Sequence, residues 1–273
     1  KKSFRVKTKK ARLFNGVRKF NLNANKFGSQ LGNYPGYLLA RYMGNITPQS
    51  KMVNLRINGR NAGTHTFVEQ VSESTLRRLG HMPGDIFIGE LSAKDRFVGD
   101  KADLFIQGGK WEKAAVNNHF EESANLSIQT LTTLISAAES EANEVKLRRL
   151  IDIEEWGRFL AFETIAQTEH YDEVHNWRLF YDPWKTRFIP IVWDPVAWAW
   201  SASAPTKPDI LRSRIQRRLL RNAPILAARS RYIVDFYQSG RSEQVISELE
   251  ETVVELDKAN RLDPKLRPQG SKA

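Results

Sequence analysis

The segment WRLFYDPWKTRFIPIV, residues 177–192, constrains this chain more than any other. Two runs of aromatic and β-branched residues flank a Pro-containing polar turn, the pattern of an antiparallel hairpin whose strands are too apolar to stand in water. Alternate strand residues face opposite ways, so Trp177, Leu179 and Tyr181 share one face and Arg178, Phe180 and Asp182 the other. Phe188, Ile189, Ile191 and Val192 drive the return strand inward. The polar groups collect at one end: Asp172, His175 and Asn176 precede the first strand, and Asp194 follows the second. Antiparallel pairing sets those two ends side by side, so two carboxylates and a carboxamide are expected to converge at the mouth of the hairpin.

The chain of 273 residues contains no cysteine. That excludes disulfides and thiolate zinc sites and leaves His, Asp, Glu and Asn as ligands, which favours hard-cation chemistry. Mg²⁺ takes one or two side-chain oxygens and leaves its other positions to phosphates and water. Asn176 and Asp194 suit that role, and Asp172 could orient or accept the proton of an attacking hydroxyl. Phosphoryl transfer divides its labour in this way, with positioning and charge neutralisation carrying most of the catalysis. Taken singly, such residues are more often structural than catalytic: Asp172 and Asp194 could cap turns, and Asn176 could make an Asx-turn. His170 and His175 also admit a metal-hydrolase alternative, against which His175 would position the turn or pack beside Trp177.

The first half reads as strands. SFRVKTK and VRKFNLN alternate polar and apolar residues across Asn15-Gly16, and Val53, Leu55 and Ile57 alternate up to Asn58-Gly59 before a return strand through Thr66 to Glu69. A helix is expected near Tyr37 to Tyr42 behind Pro35, a short one in SESTLRRLG, and strands in DIFIGEL and DLFIQGG. From Asn125 the period becomes helical, with Asp152 and Glu155 as a capping box before Trp156, Phe159, Leu160 and Ile165. Ser242 would cap a last helix with Val245, Ile246, Leu249, Val253 and Leu256 on its apolar face. The reading is an α+β domain over residues 1–262, strand-rich to about 110 and helical from about 120, with the hairpin inserted in the helical part and a flexible tail at 263–273.

The formal net charge is +11 and the hydrophobic share is 41%, so a proper core is expected together with phosphate-rich or anionic partners. Basic residues cluster from Lys1 to Arg12 and again from Lys207 to Arg231. The second block reads as an amphipathic helix with a solvated basic outer face. Without zinc-finger spacing or an RNA-binding aromatic signature, nucleic acid is disfavoured as a partner. No run of eighteen apolar residues suggests a membrane span. The chain starts at Lys1 inside an expected strand and ends in RPQGSKA without a stop signal, the look of a segment of a longer precursor. The lack of a signal peptide therefore leaves the compartment open, cell envelope and secretion included.

The stretches KKSFRVKTKK, VRKFNLNA, MVNLRINGRNAGTHTFVEQVS, IDIEEWGRFLAFETIAQ, DEVHNWRLFYDP and FIPIVWDP together resemble the spore coat protein H (CotH) kinase family, over roughly residues 1 to 200. The resemblance implies a bacterial protein with a two-lobed protein-kinase-like fold and ATP-dependent phosphorylation of protein Ser or Thr with Mg²⁺ or Mn²⁺. It implies a catalytic role for Asp172, metal binding by Asn176 and Asp194, and Glu69 near the phosphates beside a lysine, Lys19 or alternatively Lys7. His175 and Trp193 would support this set from behind. Basic charge would favour an acidic acceptor protein. Trp193, Trp198 and Trp200 fit core packing, an adenine-side wall or a partner patch.

The chain departs from the family in one place that touches chemistry. Val196 stands in WDPVAW where many members carry a second acid. Asp172 and Asn176 are separated by three residues rather than the four of ordinary kinases, and no GxGxxG loop is present or expected. The absent acid keeps open a pseudokinase that binds nucleotide or organises partners, with a basic nucleic-acid-binding protein as a remoter reading.

Overall fold

The computed structural model describes residues 2–24, 31–91, 103–106, 109–114, 125–198 and 205–261. Strands β1 (Phe4–Lys7), β2 (Lys19–Ala24), β3 (Ser50–Ile57) and β4 (Arg60–Glu69) form an antiparallel sheet in the order β1-β2-β4-β3. Both Asn-Gly pairs turn as the sequence predicts. Asn15 and Gly16 have φ of 50° and 74°, and Asn58 and Gly59 of 49° and 75°. Only Gly and, less readily, Asn adopt successive left-handed residues at little cost, and that backbone matches the twist of a two-residue hairpin.

Helix α1 (Tyr34–Tyr42) links the two hairpins, and α2 (Glu73–Arg78) follows β4. A second antiparallel sheet, β6-β5-β7-β8, joins β5 (Asp85–Gly89) and β6 (Glu112–Lys113) to the expected hairpin, β7 (Trp177–Asp182) and β8 (Arg187–Pro190). This sheet therefore draws strands from both halves of the chain. Helices α3 (Leu126–Ser136), α4 (Glu141–Leu150), α5 (Ile153–Ala166), α6 (Arg214–Leu219), α7 (Ala223–Gln238) and α8 (Arg241–Arg261) complete an α+β architecture. None of the helices among the described residues is long and apolar enough to cross a membrane.

The core lies where α5 packs on the hairpin. Trp156, Phe159, Tyr171, Trp177 and Phe105 are all buried and meet edge-on or tilted, with centroids 5.1 to 6.2 Å apart, the geometry that aromatic quadrupoles favour. The Trp156 indole N–H donates to the Phe188 carbonyl at 2.9 Å, locking helix to strand. Ile46 bridges Ile191, and the Val192 amide donates to the Ile46 carbonyl at 2.8 Å, so the segment after α1 is stitched to the strand leading to Asp194.

Several expectations fail locally. The described part of DLFIQGG is a turn, because the Asp103 carboxylate accepts the Phe105 amide at 2.7 Å and closes a local loop; Gln107 and Gly108 lie outside the described residues. The capping box at α5 is half made: Asp152 accepts the Glu155 amide, while Glu155 itself pairs with Arg158. The block from Lys207 to Arg231 holds α6 and the first part of α7, with a break between Leu219 and Ala223 just before Pro224, rather than one helix with a basic outer face. Its cations are paired: Lys207 and Arg212 with Glu169, Arg214 with Asp103, Arg217 with Glu173, Arg218 with Glu144, Arg221 with Glu139, Arg229 with Asp209, and Arg231 with Glu154. Ser242 lies inside α8, and Ile246 and Val253 are exposed, so only part of the expected apolar face is buried. Trp200 and the expected tail lie outside the described residues.

Candidate phosphoryl-transfer site

The loop 172–176 is shaped by its own aspartate. Asp172 Oδ1 accepts the amides of Val174 and His175 at 2.8 and 2.9 Å and the His175 Nδ1–H at 2.7 Å, while Oδ2 has no hydrogen-bond partner among the described residues. Burial pushes the Asp172 carboxyl up, but the donors from His175 and Val174 outweigh it and hold the group below its ordinary value. One oxygen thus fixes the loop, and the other retains lone pairs that can accept a proton. The loop is anchored from outside by the Leu91 and Leu104 amides, which donate to the carbonyls of Val174 and Glu173, and by the Trp177 indole, which donates to the Asp172 carbonyl.

Asn176 is buried with φ of 67°, a left-handed conformation that Asn tolerates better than most residues. Its Nδ2 donates to the His170 carbonyl at 2.9 Å, which fixes the amide and leaves Oδ1 as an acceptor without a hydrogen bond among the described residues. The Asn176 amide donates to Glu90 Oε2 at 3.3 Å.

Asp194 is also left-handed, with φ of 49°. Asn33 Nδ2 donates to its Oδ1, its amide donates to Tyr37 Oη at 2.9 Å, and its carbonyl accepts His170 Nδ1–H at 2.6 Å. Its Oδ2 lies 3.5 Å from His170 Nδ1. Burial raises the Asp194 carboxyl above its ordinary value, with His170 and Asn33 pulling it down and Glu90 pushing it up. The His170 and His175 rings stand edge to face, 5.2 Å between centroids. The structure therefore brings Asp172, Asn176 and Asp194 together: Asp172 through His175, Asp194 through His170, and Asn176 through the His170 carbonyl. His175 both positions the turn and meets Asp172. Trp193 packs against the Arg178 guanidinium at 5.2 Å, and its amide donates to Tyr171 Oη.

Glu69 and the lysines do not join this cluster. Glu69 is buried and accepts Thr75 Oγ1–H at 2.9 Å, the Gln49 amide at 3.0 Å and the Arg78 guanidinium at 3.0 Å. Its cation is Arg78, where a lysine was expected. Lys19 and Lys7 are exposed neighbours in the β1–β2 ladder and make no ion pair among the described residues. Asn33, Tyr37, Glu90 and Arg178 make contacts that no local sequence signal singles out. Asn33 reads as an ordinary residue before a helix, and Glu90 reaches Asn176 only because Gly89 pairs with Trp177.

Three acidic or imidazole groups placed to cage a metal do not occur among the described residues. Asp194 Oδ2, which faces His170 Nδ1 at 3.5 Å, and Asn176 Oδ1 accept no hydrogen bond among the described residues, and this carboxylate and amide oxygen fit a hard cation that takes its remaining ligands from phosphate and water. Both histidines spend Nδ1–H as donors, to the Asp194 carbonyl and to Asp172.

Comparison with known proteins agrees with the resemblance. Residues 1–223 match the model of the CotH kinase protein family. The inner spore coat protein H of Bacillus subtilis (strain 168) is 24% identical over 203 residues, covering 71% of this chain and 53% of that protein. The chain thus spans about half the length of that curated relative. A chain of the Shewanella oneidensis MR-1 HipA, HipB and operator DNA toxin–antitoxin complex aligns with a TM-score of 0.41 and 11% identity, covering 88% of this chain and 56% of that one.

Proposed function

We propose, from the premise that this chain belongs to the CotH kinase protein family, that it transfers the γ-phosphoryl group of ATP to Ser or Thr hydroxyls of a protein acceptor. The observation that carries the reading is the unequal use of the Asp172 oxygens: among the described residues Oδ1 holds three donors and Oδ2 none. A carboxylate held rigid through one oxygen, below its ordinary pKa, remains ionised and can accept the acceptor's hydroxyl proton at the other. Asp194 Oδ2 and Asn176 Oδ1 would hold Mg²⁺ or Mn²⁺, which when bound neutralises charge on the transferring phosphate. Asn33, Tyr37 and His170 orient Asp194, and Glu90 and the His170 carbonyl orient Asn176.

The N-terminal run Arg5, Lys7, Lys9, Lys10 and Arg12 is exposed and makes no ion pair among the described residues, which favours an acidic acceptor. Similarity to an inner spore coat protein supports a bacterial spore-coat setting. Val196 favours a second reading, a nucleotide-binding module with impaired transfer. It removes an acid next to Asp194, and its φ of 36° is costly for a β-branched residue.

Labelled ATP with Mg²⁺ or Mn²⁺ and a Ser-rich acceptor tests the proposal. Wild type should transfer label, and Asp172→Ala and Asp194→Ala should each lose at least about a hundredfold. No transfer by wild type, or equal transfer by both variants, overturns it. A nucleotide-dependent thermal shift without transfer supports the binding module instead.

A further inference from the structure

Helix α1 touches the candidate site with one face and α8 with another. On the site face, Asn33, just before the helix, donates to the Asp194 carboxylate, Tyr37 Oη accepts the Asp194 amide, and Gly36 lets Pro195 approach so closely that a Cβ would sit 2.7 Å from its Cγ. On the other face a single carboxylate gathers three groups. Glu248 accepts the Tyr34 hydroxyl at 3.0 Å, the Tyr42 hydroxyl at 2.9 Å and the Arg41 guanidinium at 2.6 Å. Arg241, in the first turn of α8, also donates to the Tyr42 carbonyl at 3.3 Å, satisfying an end of α1. Tyr34, Arg41 and Tyr42 are seven and eight residues apart, two helical turns, so Glu248 grips the length of α1 rather than one point.

Helix α8 begins at Arg241, beyond residue 223 where the family match ends. We propose that Glu248 is a positioning residue that holds the Asp194 loop through α1, so that a C-terminal helix outside the family match sets the geometry of the proposed metal site; its consequence for transfer rests on the function proposed above. Arg41 is exposed, Tyr42 is half-buried against the core, and α1 is only nine residues long, a length that does not hold a helix by itself. Charge-assisted bonds at both ends of such a helix fix its axial and rotational position, and on that position depends whether Asn33 and Tyr37 reach Asp194.

Two readouts test this on the full chain, with Glu248→Ala and Glu248→Gln as variants and Glu250→Ala, at an exposed position of the same helix, as control. Hydrogen exchange should become about tenfold faster in α1 and at residues 193–198 of Glu248→Ala, with β5, β7 and α5 unchanged. Glu248→Gln retains an acceptor oxygen for the tyrosine hydroxyls and should fall between wild type and Glu248→Ala, and the control should match wild type. Unchanged exchange at residues 193–198 overturns the proposal, as does exchange raised uniformly across the protein. In the transfer assay Glu248→Ala should raise the metal concentration for half-maximal rate about fivefold, with the KM for the acceptor unchanged; a fall in kcat alone would mean a merely structural role and overturns the link to the site. If wild type transfers nothing, the functional reading fails, and hydrogen exchange still decides whether Glu248 holds the loop.

Discussion

Phe20 lies directly across from Glu69 in the β2–β4 ladder, so the two side chains share one face of the sheet and Lys19 projects from the other. Glu69 therefore cannot meet Lys19, and Arg78 from α2 satisfies it instead at 3.0 Å, with the Glu69 side chain 2% and the Arg78 side chain 33% exposed. Truncating Arg78 leaves a buried carboxylate without its cation. Arg78→Ala should cost about 2 kcal/mol in denaturant unfolding, whereas Lys19→Ala should stay within about 0.5 kcal/mol. If Lys19 meets the phosphates from its own face, Lys19→Ala will weaken the nucleotide-dependent thermal shift without that loss of stability.

Gly36 is required by proximity, since a Cβ there would stand 2.7 Å from Pro195 Cγ and 3.1 Å from Ala197 Cβ. Gly36→Ala should push α1 and the loop after Asp194 apart and cost about 1–3 kcal/mol. Transfer should fall by more than stability alone explains, because Asn33 and Tyr37 move with the helix. A full thermal scan beside an initial-rate assay separates the two effects.

The contact between His175 and Asp172 should set the acid side of the proposed transfer reaction. Asp172 sits below its ordinary pKa only because the His175 ring and nearby amides outweigh burial. His175→Ala removes the ring donor, so the Asp172 carboxyl rises and the acid limb of kcat/KM moves to higher pH. The stabilising part of this interaction is present above the unfolded carboxylate value and disappears as pH falls through the lowered folded one. Acid unfolding of the variant should accordingly begin at higher pH, and an unshifted acid limb would show that another group governs it.

Glu163 has the opposite sign. It is fully buried on α5, one oxygen accepts the Gln216 amide, the other has no hydrogen-bond partner among the described residues, and burial raises its carboxyl well above the ordinary value. A raised carboxyl makes folding take up a proton, so stability declines as pH rises from the unfolded value toward the folded one. Glu163→Gln retains the acceptor for Gln216 and removes this penalty. Its melting temperature should match or exceed that of wild type at neutral pH, with the advantage growing as pH rises and shrinking in acid.

Local chemistry made much of this protein legible in advance. The Asn-Gly turns, the alternation in β3 and β4, and the apolar hairpin of β7 and β8 are dictated by residues that touch their sequence neighbours. Antiparallel pairing then carries Asp172, Asn176 and Asp194 to one mouth. Where a neighbouring side chain competes for the backbone, the pattern misleads, as at Asp103, which bends an apparent strand into a turn.

Partner choice was decided only by the tertiary structure. Whether Glu69 meets Lys19 or Arg78 depends on strand register, a one-residue matter that reverses the face of every side chain. Whether the basic block faces solvent or carboxylates depends on which acids distant loops bring to it. Asn33, Tyr37, Glu90 and Glu248 carry no signature, because each acts across a gap that exists only after the sheets and helices close. Sequence determined which groups stand at the hairpin's mouth, and packing decided what holds them there.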